Sequence, residues 1–233
     1  MQKKILLLQF RTDYSEDHEQ ECFKDAFSEH NVTFEYANAI TGKLTQDLLH
    51  NKDAVIIGGS GEFYFSRGDG NNTWAKDAKQ FVAQTLEKNI PTLGVCFGYQ
   101  LLGMVAGGSI IRDEQKMESG TFDMTALPDA SDDPVFTGLP EKFEAQVAHK
   151  DVLVYLDDNI RPLIVSERVN PHGFKVKGVD AWGVLFHPEL NEKRMTQRIT
   201  MYEEYIPKDS NIEEIFRDTP EAEKVLDNFA RII

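Results

Sequence analysis

Gly94-Val95-Cys96-Phe97-Gly98 is the stretch on which the reading of this chain turns. It lies between an apolar run and a segment of helical spacing, so the cysteine falls at a strand-to-helix junction. Gly-x-Cys-x-Gly is the thiol version of a nucleophile elbow, a sharp turn that lifts a reactive side chain out of the fold. Such a turn holds the nucleophile at strained backbone angles, and its neighbours two positions away must be small. Gly94 and Gly98 occupy those positions. The helix that follows offers unpaired N–H groups and the positive end of its dipole, which favour a thiolate and an oxyanion. The predicted chemistry is that of a cysteine nucleophile.

Outward from the elbow, the elements alternate. Pro91–Val95 reads as the strand entering it and Tyr99–Ala106 as the helix leaving it. Upstream, Lys4–Phe10, Thr33–Ala37 and Ala54–Ile57 read as strands, the last ending in Gly58-Gly59-Ser60-Gly61. Glu16–Glu29, Thr73–Lys88 and the brief Leu44–Leu49 read as helices. Strands alternating with helices imply a mostly parallel sheet covered on both faces. After Gly107-Gly108 the rhythm changes. Ser109–Ile111, Gly120–Leu127, Phe143–Ala148, Leu163–Ser166, Gly173–Val176 and Ala181–Leu185 read as strands with few helices between them, an antiparallel extension or returning edge of the same sheet. Glu221–Ile233 is a closing helix with Val225, Leu226, Phe229 and Ile232 as its apolar stripe. With no repeat, linker or low-complexity tract, residues 1–233 read as a single α/β domain, a mixed and mostly parallel sheet of about seven or more strands between helices, with its site at the strand carboxyl ends.

Composition narrows the classes. Hydrophobic residues make up 41% of the 233 and charged residues 27%, the balance of a chain able to bury a core. A net charge of −14 argues against nucleic acid and against anionic membranes, both of which need a basic face. Lys3-Lys4 precede apolar Ile5-Leu6-Leu7-Leu8, but Gln9 and Arg11 end the run well short of a secretory core. Two cysteines, Cys22 and Cys96, make no disulfide framework, and a reducing cytoplasm is the expected location. Cys22, in an acidic helical stretch, reads as structural. The histidines and cysteines show no metal-ligand spacing, so neither a metal nor another cofactor is expected.

The elbow, with Tyr99-Gln100 after it and Phe186-His187-Pro188-Glu189 about 90 residues downstream, resembles the class I (triad-type) glutamine amidotransferases. The glycine turn at Gly58-Gly59, Gly107-Gly108 after the elbow helix and the Asn228-Phe229 ending match as well. The likeness spans nearly the whole chain and implies a class I amidotransferase-like, flavodoxin-like fold. It is strongest to free-standing domains related to the amidotransferase half of GMP synthetase, a set that includes γ-glutamyl peptidases. Tyr99 stands where members of that family commonly carry His or Met.

The resemblance implies a catalytic triad of Cys96, His187 and Glu189. Cys96 would attack the side-chain amide of glutamine, His187 would shuttle the proton, and Glu189 would fix the imidazole tautomer, with Pro188 rigidifying the spacing. The backbone N–H groups of Phe97 and Gly59 are the expected oxyanion donors. Gly58, Gln100 and His149 are the expected substrate-binding residues. Gln100 matches the family position that holds the α-amino and carboxylate end of the substrate. His149 falls in Gln146-Val147-Ala148-His149-Lys150-Asp151, where the family has a Ser-His-Gly-Asp-like segment, and reads equally as a strand-end or a pocket histidine. His18, His30, His50 and His172 read as solvent-facing. Phe63-Tyr64-Phe65 form either a lid or docking surface or packing against the next helix, and Arg67 either meets a substrate carboxylate or lies at the surface. The acidic Asp129–Asp133 and Asp209–Glu214 segments read as solvated loops.

Two catalytic outcomes stay open. The chain lacks a Gly-rich P-loop, so one outcome is ammonia released from glutamine to a synthetase acting in trans. The other is a γ-glutamyl peptidase acting on glutathione-like compounds. A third alternative is a non-catalytic, regulatory protein of the same fold.

Overall fold

Ile5, Leu6, Leu7 and Leu8 are all buried, and alternate residues feed opposite faces of one sheet. That is the signature of a strand covered on both sides, where a continuous apolar run replaces polar alternation. The computed structural model describes residues 2–155, 158–206 and 210–233. Its strands are β1 (Lys3–Gln9), β2 (Val32–Asn38), β3 (Ala54–Ile57), β4 (Thr92–Val95), β5 (Ser109–Arg112), β6 (Glu118–Ala126), β7 (Lys142–His149), β8 (Asp151–Tyr155), β9 (Ile160–Ser166), β10 (Gly173–Val176) and β11 (Ala181–Val184). Its helices are α1 (Ser15–Ala26), α2 (Thr73–Glu87), α3 (Phe97–Val105), α4 (Glu192–Ile199), α5 (Ile212–Ile215) and α6 (Pro220–Ile232).

Nine strands form one mixed sheet in the order β2-β1-β3-β4-β11-β10-β9-β6-β7. The five from β2 to β11 run parallel, and β10, β9, β6 and β7 continue the sheet antiparallel. One face packs Ile5, Leu7, Ile56 and Val95 against α1 and α6, through Phe23, Phe27, Val225 and Phe229. The other packs Leu6, Leu8, Val55 and Ile57 against α2 and α3, through Phe81, Val82, Leu101 and Leu102. A third cluster joins α4 to Cys22, Tyr64, Ala148 and Tyr205. No described helix is long and apolar enough to cross a membrane.

The structure departs from the sequence reading in three places. The expected antiparallel extension exists, but β5 leaves it and pairs instead with β8 in a separate two-stranded ribbon. Neither β8 nor α4 is expected from the sequence, nor is the short α5 overlapping the second acidic segment. The first is masked by its link to the preceding strand through Lys150 alone, and the second is so polar that its apolar stripe shrinks to Met195 and Ile199. Asp133 is not solvated. It is buried, and its carboxylate accepts from the Trp182 indole at 2.9 Å and the Val135 N–H at 3.0 Å. In the second acidic segment, Asp209 lies outside the described residues.

Candidate active site

β4 ends at Val95 and α3 begins at Phe97, so Cys96 alone turns the chain. It does so at φ 53° and ψ −104°, in the region of positive φ that costs a side chain energy. The Cys96 N–H donates to the Val184 carbonyl at 2.9 Å, tying the turn to β11. A Cβ on Gly94 would lie 2.5 Å from the Gly98 carbonyl oxygen, and one on Gly98 would lie 2.0 Å from that of Ile57. Both positions therefore require glycine, as the turn folds back on itself and presses on β3.

His187 lies just past β11, with its N–H on the Gln146 carbonyl at 2.9 Å. Its Nδ1 meets Glu189 Oε1 at 2.8 Å, and both side chains are buried. The position a Cβ would take on Gly59 is 3.0 Å from Arg11 Nη2, 3.5 Å from His187 Cε1 and 3.7 Å from Cys96 Cβ, so the Cys96 and His187 side chains both border that glycine. Burial disfavours a charged His187, but Glu189 and then Cys96 outweigh it and push the imidazole up to about 9. Burial likewise opposes the Glu189 carboxylate, yet His187 and Arg198, whose Nη1 is 3.7 Å away, hold it below the usual range.

Arg198 also donates from Nε to His18 Nδ1 at 2.9 Å. His18 is therefore buried behind the site rather than solvent-facing. Burial and then the charge of Arg198 push it down to about 4, leaving it a neutral acceptor. Cys22 lies against the same pair, and burial pushes its thiol up to about 11. Such a thiol is a poor nucleophile, in keeping with a structural cysteine.

The Gly58-Gly59 turn rests on Glu19 of α1. A Cβ on Gly58 would lie 2.6 Å from a Glu19 carboxylate oxygen, and the Gly59 N–H donates to Glu19 Oε1 at 2.9 Å. That N–H, expected as an oxyanion donor, is thus committed to a carboxylate here. Glu19 pairs in turn with Arg11 Nε at 3.0 Å, and both are fully buried. The Phe97 N–H has the first position of α3, where helices leave donors without intrahelical partners. Gln100 lines the small cavity at Cys96 while its Nε2 donates to the Asp151 carbonyl at 3.2 Å. Tyr99 does not line that cavity. It packs on Phe174 and donates its hydroxyl to the Pro171 carbonyl at 2.6 Å.

His149 ends β7 and also lines the cavity at Cys96. Its Nε2 is 3.0 Å from Glu118 Oε2, and His172 Nε2 reaches the same oxygen at 2.7 Å. His172 is fully buried, not solvent-facing; His50 is exposed as expected, and His30 is only partly exposed, its Nε2 2.9 Å from Asp227 Oδ1. Burial opposes ionisation of Glu118, but the two histidine hydrogen bonds hold it down to about 2. Burial pushes His149 below its ordinary value. The three residues bring one carboxylate oxygen and two imidazole nitrogens within 4.8 Å of one another, a donor set suited to a transition-metal ion. Both Nε2 atoms already face the carboxylate.

The aromatic segment packs inward. Phe65 stacks on Phe97 at 4.4 Å, Phe63 meets Trp74 edge-on at 5.1 Å, and Tyr64 is buried against Tyr205. Arg67 lies half-exposed over the Tyr64 ring. Sequence reasoning missed Arg11, Glu19, Arg198 and Glu118. Arg11 had a signal, since it follows directly on the carboxyl end of a parallel strand, where such sheets place ligands. Nothing in the sequence joins Arg198 to Glu189 or Glu118 to His172.

The family model for glutamine amidotransferase class-I matches residues 21–203. A GMP synthase [glutamine-hydrolyzing] of Thermosipho africanus is 29% identical over 185 residues, 78% of this chain and 33% of that protein. One GMP synthase [glutamine-hydrolyzing] subunit of Pyrococcus abyssi is 32% identical over 104 residues, 45% of this chain and 53% of that one. The chain thus spans from a third to about half the length of these relatives. Among solved structures, a glutamine amidotransferase from Thermotoga maritima superposes with a TM-score of 0.81 at 22% identity, covering 98% of this chain and 96% of that one.

Proposed function

This chain belongs to the class I glutamine amidotransferase family, and we propose that it hydrolyses the side-chain amide of glutamine through Cys96, His187 and Glu189. The observation that carries this reading is that a positive-φ cysteine and a carboxylate-bound histidine both border Gly59. Cys96 as thiolate attacks the amide carbon, and a C–S bond forms as the carbonyl becomes an oxyanion. His187, an imidazolium below pH about 9, gives its proton to the leaving nitrogen, and the C–N bond breaks to release ammonia. The now neutral His187 takes a proton from water, which attacks the γ-glutamyl thioester. Glutamate leaves and the thiolate is restored.

Glu189 acts by holding the Nδ1–H tautomer and stabilising the imidazolium. The Phe97 N–H receives the oxyanion. Gly59 is the second donor, and it serves only once its hydrogen bond to Glu19 opens. Glycine at that position lets the substrate carbonyl approach the backbone closely. Ammonia passes to a synthetase acting in trans, a reading supported by the likeness to a protein named as one subunit of GMP synthase.

The test is to incubate the purified protein with glutamine, glutathione and γ-glutamyl dipeptides, and to measure ammonia and glutamate. Glutamine is expected to yield both in equal amounts. Cleavage of the peptides with no ammonia from glutamine would replace this reading with a γ-glutamyl peptidase.

A further inference from the structure

The cavity at Cys96 has about 10 Å³ of room, enough for no more than one water. A neighbouring cavity of about 280 Å³ lies beyond a wall that both share, built by His149, Lys150 and Tyr205. A γ-glutamyl compound does not fit the space at Cys96 as it stands, and yielding of that wall would join the two cavities. His149 is fixed by Glu118, and Tyr205 is buried. Lys150 is the charged member of that wall, on a four-carbon stem.

The Lys150 ammonium is almost fully buried. Its Nζ lies 2.9 Å from Glu204 Oε1, 3.4 Å from Tyr64 Oη and 4.3 Å from the centre of the Tyr205 ring. Tyr64 donates its hydroxyl to the same Glu204 oxygen at 2.6 Å. These two hydrogen bonds hold the half-exposed Glu204 carboxylate below its usual range, so it is anionic. Three other polar side chains around Cys96 already have partners. Asp151 accepts from the Ser66 N–H on one oxygen and the Ser66 hydroxyl on the other. Gln100 donates to the Asp151 carbonyl, and Ser60 Oγ accepts from the Glu62 and Phe63 N–H groups.

Every γ-glutamyl substrate carries an α-carboxylate and an α-ammonium, and burying them requires compensating charges or hydrogen bonds. We propose that Lys150 and Glu204 are the subsite for this zwitterionic head, Lys150 binding the α-carboxylate and Glu204 the α-ammonium. Their ion pair, flanked by Arg67 Nη2 at 3.8 Å from the same Glu204 oxygen, holds both groups until the substrate inserts between them. The assignment rests on Cys96 as the nucleophile, and both residues are specificity-determining and not part of the bond-breaking machinery.

The experiment compares alkylation of Cys96 by two reagents, with the modified residue mapped by peptide mass. One is 6-diazo-5-oxo-L-norleucine, which has the amino-acid head; the other is chloroacetamide, which has none. In Lys150→Met, the rate with the headed reagent should fall about 10- to 100-fold relative to chloroacetamide, the loss expected for one charged hydrogen-bond partner. Glu204→Gln should shift the ratio in the same direction, and Lys150→Arg should keep most of the wild-type ratio. Should Lys150→Met not fold, Glu204→Gln, at a half-exposed position, carries the test alone. An unchanged ratio in the folded variants would overturn the subsite. A wild-type protein whose Cys96 reacts with neither reagent would instead defeat the nucleophile, and the subsite with it.

Discussion

Two buried carboxylate–histidine assemblies stand on either side of the Ala148–His149 strand end, and they behave in opposite ways. Glu189 meets His187 at 2.8 Å, and Glu118 meets His149 at 3.0 Å and His172 at 2.7 Å. The groups, distances and burial are alike. Yet His187 is pushed up to about 9 while His149 is pushed below its ordinary value. The difference lies in how the negative charge is shared. Glu189 serves one imidazole, and Cys96 adds a second source of negative potential beside it. Glu118 shares one oxygen between two imidazoles, and at His149 burial, with His172 beside it, wins over the carboxylate. Only the first assembly adjoins the proposed nucleophile, and we expect catalysis there and structural support from the second.

The largest effect that would break this contrast is at the thiol. Cys96→Ala should lower glutamine hydrolysis by about 10⁴-fold or more, because triad members act as a unit. Cys22→Ala should leave the rate near wild type, and ammonia release assays on both variants decide the matter. His187→Ala should cost as much as Cys96→Ala.

Glu189→Gln should cost less, about 10²- to 10⁴-fold, since it orients the base without exchanging its proton. Its pH profile is the sharper readout. His187 has a raised value and is the proposed acid for the leaving nitrogen, so turnover should fall as pH rises through about 9. Glu189 is the chief influence raising it, so in Glu189→Gln that alkaline fall should move to lower pH. A fall at the same pH in both proteins would remove Glu189 from its assigned role.

At the second assembly the loss should appear in stability. Glu118→Gln leaves two buried imidazoles without their shared charged acceptor and should cost about 2–4 kcal/mol in denaturant unfolding. Chloroacetamide should still label Cys96 in that variant. The sign with pH follows from the lowered carboxyl value. The stabilisation from Glu118 is present above its ordinary 4.5 and is lost as pH falls towards about 2. Glu118→Gln should flatten that acid limb in a series of melting temperatures. The smallest effect belongs to a third pair of the same chemistry at the surface, His30 Nε2 and Asp227 at 2.9 Å. Half-exposed and screened, it should contribute less than about 1 kcal/mol, as His30→Ala would show.

The same contrast marks how far the sequence could be read. The parallel half of the sheet was legible, since apolar runs such as Ala54–Ile57 and the Gly-x-Cys-x-Gly turn are local signals. Gly94 and Gly98 carried their reason in their spacing, and the structure supplies the colliding carbonyls. The antiparallel half hid its contacts. Glu118 and His149 face each other only through the register of β6 on β7, and His172 reaches them from a loop before β10. Register across long separations is not written in any window of the chain. For the same reason His18 and His172 look solvent-facing among polar neighbours and are buried in the fold. Arg11 and Glu19 form a buried pair beneath Gly59 because charges are sorted by where strands end, not by the residues beside them.

The most direct measurement of the central claim is to trap the γ-glutamyl thioester with hydroxylamine during glutamine hydrolysis. A covalent intermediate on Cys96 should partition to γ-glutamyl hydroxamate as hydroxylamine is raised, at the expense of glutamate, with ammonia release maintained. The Cys96→Ala protein should form none. Ammonia and glutamate released in full with no hydroxamate, at hydroxylamine concentrations that outcompete water at a thioester, would contradict it.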